Sequence, residues 1–261
     1  MSRFAERYGP VALVAGASAG LGEAFARALA ARGLNLLLIA RRQDALDRLA
    51  AELRAVHGVS VRSAAADLAR EDLAEVALAL ARGAEVGLVV YNAAHAVVGP
   101  FLERPLRAQL RVIDVNCRGP LTLAHLFGGP MAARGRGGIL LMTSVASAQG
   151  NPLLAAYAAS KAFSLVLAEG LWAELRGEGV DVLACRAGAT RTRGREASRP
   201  KNDGPLAEPD AVARAALDAL GRGPSVVTGA LNRVAAFALG RLLPRRASIR
   251  IIGRTTRKLY G

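Results

Sequence analysis

Short apolar runs alternate with amphipathic stretches from residue 11 onward. Val11–Ala15, Leu36–Ala40, Val59–Ala65, Val86–Tyr91, Ile139–Thr143 and Val180–Cys185 have the length and composition of buried strands. Between them the apolar positions change to helical spacing. Leu21–Arg32 repeats through Leu21, Ala24, Phe25, Ala28 and Leu29, Asp44–Val56 through Leu46, Leu49 and Leu53, and Glu71–Ala81 makes a third helix. Ala108–Phe127 and Leu153–Arg176 read as two more. Strands apolar on both faces and separated by helices belong in a parallel sheet covered on both sides. Right-handed crossovers then predict an α/β fold with a doubly wound parallel sheet, whose ligands sit at the carboxyl ends of the strands.

A length of 261 residues suits one such domain. The pattern places it over residues 1–228, with a long Arg-, Gly-, Ser- and Pro-rich loop at 187–208 and a basic extension at 229–261. An apolar fraction of 52% excludes a disordered chain. Cys117 and Cys185 are too few and too far apart for a disulfide framework or a zinc site, so they read as buried thiols and no metal is expected.

The net charge of +14 is unevenly spread. Nine basic residues and no acidic one follow Asp218. That excess belongs to the tail, and no nucleic-acid role is expected. Helical spacing puts Arg250, Arg254, Arg257 and Lys258 on one face and Ile251, Thr255 and Leu259 on an adjacent one. With Leu231–Leu243 before the Pro244 break, the extension has two readings. It is either a helix packed on its own domain with a solvated arginine face, or a basic amphipathic arm for an anionic membrane surface or an acidic partner. Met1–Tyr8 lacks the apolar core of a signal peptide, and the uncharged stretch 137–160 is broken by Ser147, Gln149, Asn151 and Pro152. A cytoplasmic protein is expected.

The first strand runs into Gly16-Ala17-Ser18-Ala19-Gly20-Leu21-Gly22 and then a helix. Glycines here let the backbone turn sharply and approach a pyrophosphate seated on the helix N-terminus. The second strand ends in Arg41-Arg42, where an NAD-selective site would carry a carboxylate for the ribose hydroxyl. A guanidinium instead suits a 2′-phosphate, so NADP(H) is expected in preference to NAD(H). Tyr157 and Lys161 lie one helical turn apart, a pairing that chance yields only about 0.05 times in this composition.

These motifs resemble the short-chain dehydrogenase/reductase family over about residues 10–230. The glycine spacing is similar to that family's, as are Ser144, thirteen residues before Tyr157, and Asn116 in the segment Ala108–Phe127. The resemblance implies a Rossmann fold with Asn116, Ser144, Tyr157 and Lys161 as the catalytic set. It also implies that Ser18, Ala19, Leu21, Asp67, Leu68, Asn92 and Ala93 line the cofactor with the glycines, Tyr157 and Lys161. Asp67 would accept a hydrogen bond from the adenine amine or cap the next helix. Gly188, Thr190 and Thr192 would approach the nicotinamide. Four positions depart from the pattern: Tyr91 and Ala94 flank Asn92-Ala93, Ala187 stands where proline is usual, and Ala19 adds no second basic residue.

The resemblance further implies hydride transfer between nicotinamide and a carbonyl or secondary alcohol, with Tyr157 as acid or base. Lys161 and an oxidised nicotinamide would both lower the phenol's pKa. Ser144 would hold the substrate oxygen, and Asn116 a water relaying protons through Lys161. Arg191, Arg193, Arg195, Arg199 and Lys201 in the long loop suit either an anionic 3-oxoacyl thioester or a plainly solvated loop. Ala146, Asn151, Leu153 and Leu154 are expected to line the pocket. His95 has no assigned role. Family members usually pair into homodimers or homotetramers through the helices carrying Asn116 and Tyr157. A non-enzymatic NADP(H)-binding sensor is the alternative of a different class, and such proteins typically lose the tyrosine.

Overall fold

The computed structural model describes residues 2–192, 198, 200, 201 and 206–261. Among them, seven strands form one parallel sheet in the order β3-β2-β1-β4-β5-β6-β7. The strands are β1 (Val11–Ala15), β2 (Asn35–Ala40), β3 (Val61–Ala65), β4 (Val86–Tyr91), β5 (Gly137–Ser144), β6 (Val180–Ala187) and β7 (Ser225–Val227). Chain order reverses between β1 and β4. Their carboxyl ends therefore splay apart and open the crevice where such sheets bind ligands.

Strand alternation divides the core into two layers. On one face Leu36, Leu38, Val90, Leu140 and Leu183 meet Phe25 and Leu29 of α2 (Gly20–Ala30) and Leu46, Leu49 and Leu53 of α3 (Gln43–His57). Val212 and Leu217 of α8 (Pro209–Ala219) complete that layer. On the other face Leu37, Ile39, Val89, Leu141 and Val182 meet Leu73 of α4 (Leu73–Ala81) and Leu123, Phe127 and Met131 of α6 (Gly119–Ala133). Each such leucine removed from water contributes about 2 kcal/mol.

Several segments differ from the sequence pattern. The expected helix Ala108–Phe127 is α5 (Leu106–Ile113) and α6, joined by a π-helical turn at Asp114–Arg118. The helix expected from Leu153 is α7 (Ala155–Leu175), because Leu153 has φ of +65°, which no α-helix accommodates. The short strand β7 and the N-terminal helix α1 (Arg3–Tyr8) carry too few periodic positions to stand out in the sequence. After β7 come α9 (Ala230–Phe237), a π-helical turn to Leu242, and α10 (Arg245–Tyr260). Among the described residues no helix is long and apolar enough to cross a membrane.

Candidate active site

The loop between β1 and α2 is built so tightly that only glycine fits. A Cβ on Gly22 would lie 2.0 Å from the Gly16 carbonyl oxygen, and one on Gly16 would lie 2.8 Å from the Ala93 Cα. Gly16 and Gly20 also have φ of +88° and +57°. Asn92 donates to the Gly16 oxygen at 3.1 Å, tying the end of β4 to this loop. Thr192 lies over Gly20, within 3.1 Å of where a Cβ would stand. Ala19, before the first turn of α2, provides no side-chain cap, so the helix N–H groups there suit a phosphate. Arg42 donates to the Ser18 oxygen at 2.7 Å and holds the loop against the end of β2, while Arg41 is exposed beside it. This cradle fits a dinucleotide.

Asp67 does not cap α4, whose N-cap is Asp72. One of its oxygens accepts from the Ala69 N–H at 3.0 Å and the other pairs with Arg111. Burial pushes its pKa up, but the Arg111 and Ala69 hydrogen bonds outweigh that and hold it below the usual carboxylate value. Leu68 beside it is buried.

The end of β5 and the first turns of α7 bring Ser144, Tyr157 and Lys161 together. Lys161 is buried, and its ammonium donates to the Met142 carbonyl at 2.8 Å. It stands 5.9 Å from the centre of the Tyr157 ring. Thr143 donates to the Lys161 carbonyl at 2.9 Å and locks α7 onto β5. Burial lowers Lys161 to about 8, against a slight opposing pull from Cys117. Burial raises the Tyr157 phenol above its ordinary value, the hydrogen bond with Ser144 opposes the rise, and the neighbouring Tyr260 adds to it. The expected lowering of Tyr157 by positive charge must therefore work against desolvation.

Asn116 sits in the π-helical turn with its amide fully engaged. Its Oδ1 accepts from the His95 N–H at 2.8 Å, and its Nδ2 donates to the His95 oxygen at 2.8 Å and to Ser160 Oγ at 2.9 Å. Ser160 in turn donates to the Tyr157 carbonyl at 2.7 Å. Asn116 thus clasps the loop after β4 to the helix of Tyr157. The water-holding role expected of it finds both amide protons already committed. His95 is half-buried, and burial together with the charges of Arg111 and Arg41 lowers its pKa.

The short chain dehydrogenase family model matches residues 10–203. The chain belongs to this family. This short-chain dehydrogenase is 31% identical over 236 residues to the 7beta-hydroxysteroid dehydrogenase of Collinsella aerofaciens, covering 87% of this chain and 89% of that one. A solved 7beta-hydroxysteroid dehydrogenase is similar with a TM-score of 0.90 at 28% identity, over 96% of this chain and 99% of the other. A short-chain dehydrogenase from Sphingobium yanoikuyae in complex with NADPH has a TM-score of 0.79 at 33% identity, over 89% and 94% of the two chains. The protein is accordingly an oxidoreductase of alcohols and ketones that works with a nicotinamide dinucleotide.

In this short-chain dehydrogenase the C-terminal helix closes on the site. Thr256 donates to Asn151 Oδ1 at 2.6 Å, and Gly253 lies against Pro152. Asn151, expected to line the pocket, is buried in that joint and lines a hollow there with Ser147, Ala155 and Ile249. Ala146, Leu153 and Leu154 are half-buried nearby in sequence. Lys201 N–H donates to the Leu259 oxygen at 2.8 Å, and Tyr260 Oη lies 3.3 Å from Ser198 Oγ. Tyr260 and Thr256 carry no motif, so the sequence offered no signal for them. The same holds for Asn232, whose amide packs on Gly188 so closely that a Cβ there would lie 2.2 Å from it. Thr190 donates to the Gly188 oxygen at 3.1 Å. Of the basic loop, Arg191 pairs with Glu208 at 3.1 Å, whereas Arg193, Arg195 and Arg199 lie outside the described residues.

Proposed function

We propose that this enzyme reduces a bulky, largely apolar ketone with NADPH, Tyr157 delivering the proton. The observation that carries the reading is the half-buried Tyr157, set beside Ser144 and with the ammonium of Lys161 5.9 Å from its ring centre. A nicotinamide dinucleotide held in the cradle of Gly16, Gly20 and Gly22 would supply the hydride to the carbonyl carbon. Tyr157 gives its phenolic proton to the carbonyl oxygen, so ketone, hydride and proton sum to the secondary alcohol. Ser144 orients that oxygen and stabilises its developing charge. Lys161 stabilises the phenolate that remains. Asn116 acts one step back, keeping Tyr157 in register through Ser160.

Support for NADPH comes from the end of β2, where no carboxylate would repel a 2′-phosphate and Arg41 is free to reach solvent. A steroid-sized ketone is favoured because similarity to the 7beta-hydroxysteroid dehydrogenase structure spans 96% of this chain, and Tyr260 of the C-terminal helix stands near Tyr157. In this reading α10 forms one wall of the substrate site.

NADPH and NADH titrations with wild type and Arg41→Ala, followed by panels of ketosteroids, simple ketones and 3-oxoacyl thioesters, test the proposal. Arg41→Ala should weaken NADPH by about tenfold and leave NADH nearly unchanged. Tyr157→Phe should cost about 10²–10⁴ in turnover. NADPH binding with no turnover that depends on Tyr157 would favour the sensor reading instead.

A further inference from the structure

The helix α9 leaves one side unpartnered. Leu231, Val234 and Phe237 follow at intervals of three residues and form one stripe. They are 77%, 68% and 59% exposed, and α9 contains no buried residue. Leu242 continues the exposure at 67% just beyond it. Apolar residues scattered singly on a surface need no explanation, but four in twelve positions make a patch.

Charge identifies what covers it. Arg233 lies within the stripe's own helix, and Arg241, Arg245 and Arg246 follow, all exposed. Beyond them α10 turns its small buried residues Ser248, Gly253 and Thr256 inward and leaves Arg250, Arg254, Arg257 and Lys258 outside. No acidic residue lies anywhere after Asp218. An isologous contact between two copies of this face would set arginines against arginines, which disfavours a second chain as the occupant. An anionic surface that also accepts apolar side chains is a lipid bilayer with acidic headgroups. Interfacial helices bind it by this pairing of shallow apolar insertion with basic flanks.

We propose that α9 and the exposed arginines around it dock the enzyme reversibly on an anionic membrane surface, with Leu231, Val234, Phe237 and Leu242 entering the headgroup layer. Because Asn232 of the same helix packs on Gly188 just after β6, docking there would bring the bilayer beside the carboxyl edge of the sheet.

Flotation of the full chain with vesicles tests this, using phosphatidylcholine alone and phosphatidylcholine mixed with phosphatidylglycerol. Protein should float with the mixed vesicles, stay behind with the neutral ones, and be released by salt. Arg241→Ala and Arg246→Ala should each weaken partitioning by about fivefold. Val234→Asp with Phe237→Asp should abolish flotation while NADPH binding and the melting temperature persist, since both side chains are exposed. Equal flotation on both vesicle types, or none on either, overturns the proposal. So does a Val234→Asp, Phe237→Asp protein that still floats, because adsorption would then be charge alone. A solution dimer that this double variant dissolves, without vesicle binding, would assign the stripe to a second copy.

Discussion

Lys161 shows how a single residue trades stability for chemistry. Its proton leaves near pH 8 in the folded chain but near the ordinary lysine value when unfolded. Between those values the unfolded chain holds more protons, so stability rises as pH climbs from about 8 to the ordinary lysine value, and is flat below. At neutral pH the buried ammonium thus costs a few kcal/mol, on the order of the shift itself. Lys161→Met should melt higher than wild type at pH 7, less so at pH 10, and turn over negligibly. Thermal melts at the two pH values check the sign. Tyr157 gives the complementary pH profile. Alcohol oxidation needs the phenolate, which burial disfavours, so its kcat/KM should keep rising into alkaline pH. Ketone reduction needs the phenol and should hold level through neutrality, then fall as pH passes the raised pKa. Tyr157→Phe should remove both limbs.

At the scale of elements, the parts legible in the sequence were those with repetition or crowded chemistry. The strands β1, β2, β4, β5 and β6 announce themselves because each is buried on both faces. The edge strand β3 is partly exposed and shows only as a short run of small and apolar residues. The glycine loop stands out because close approach leaves no alternative residue. Tyr157 and Lys161 were legible because an α-helix fixes residues four apart on one face. What escaped depends on contacts between distant segments. Asn116 was placed by the pattern in an ordinary helix, yet the π-helical turn at Asp114–Arg118 is what presents its amide to His95, and an extra backbone residue per turn leaves no mark on hydrophobic spacing. Similarly, no motif signals that Thr256, 105 positions away, donates to the side-chain oxygen of Asn151. This joint can be tested. Thr256→Val removes the hydroxyl and leaves a buried amide oxygen without that donor, at a cost of about 1–3 kcal/mol. If α10 is the wall of the substrate site, the variant should raise KM for a bulky ketone several-fold while kcat and NADPH affinity change little. Equal loss of kcat for large and small ketones would show that the joint instead supports the catalytic residues.

For the whole molecule, two clusters of exposed apolar side chains among the described residues differ in the charge around them. The stripe on α9 is hemmed by arginines. The other patch is on α5, α6 and α7, where Leu106, Leu110 and Ile113 repeat at helical spacing beside exposed Leu121, Phe163 and Val166. A shallow hollow of about 580 Å³ along α7, between Ala159, Phe163, Val166, Gly170 and Glu174, gives that face relief into which another side chain can pack. Its charges are mixed, with Glu174 lining the hollow and Asp114 paired with Arg118, so two copies related by a two-fold axis can meet there without the repulsion that α9 would suffer. We therefore expect a homodimer through α5 and α7, burying on the order of 1,600 Å². Leu110→Glu with Val166→Glu should convert it to a monomer in light scattering. Because α7 also carries Tyr157 and Lys161, the monomer should lose activity in parallel with a lower melting temperature. A variant that stays dimeric would move the interface elsewhere. One that turns monomeric with full activity would show that α7 holds its catalytic face without the partner, through Thr143 and Asn116 alone.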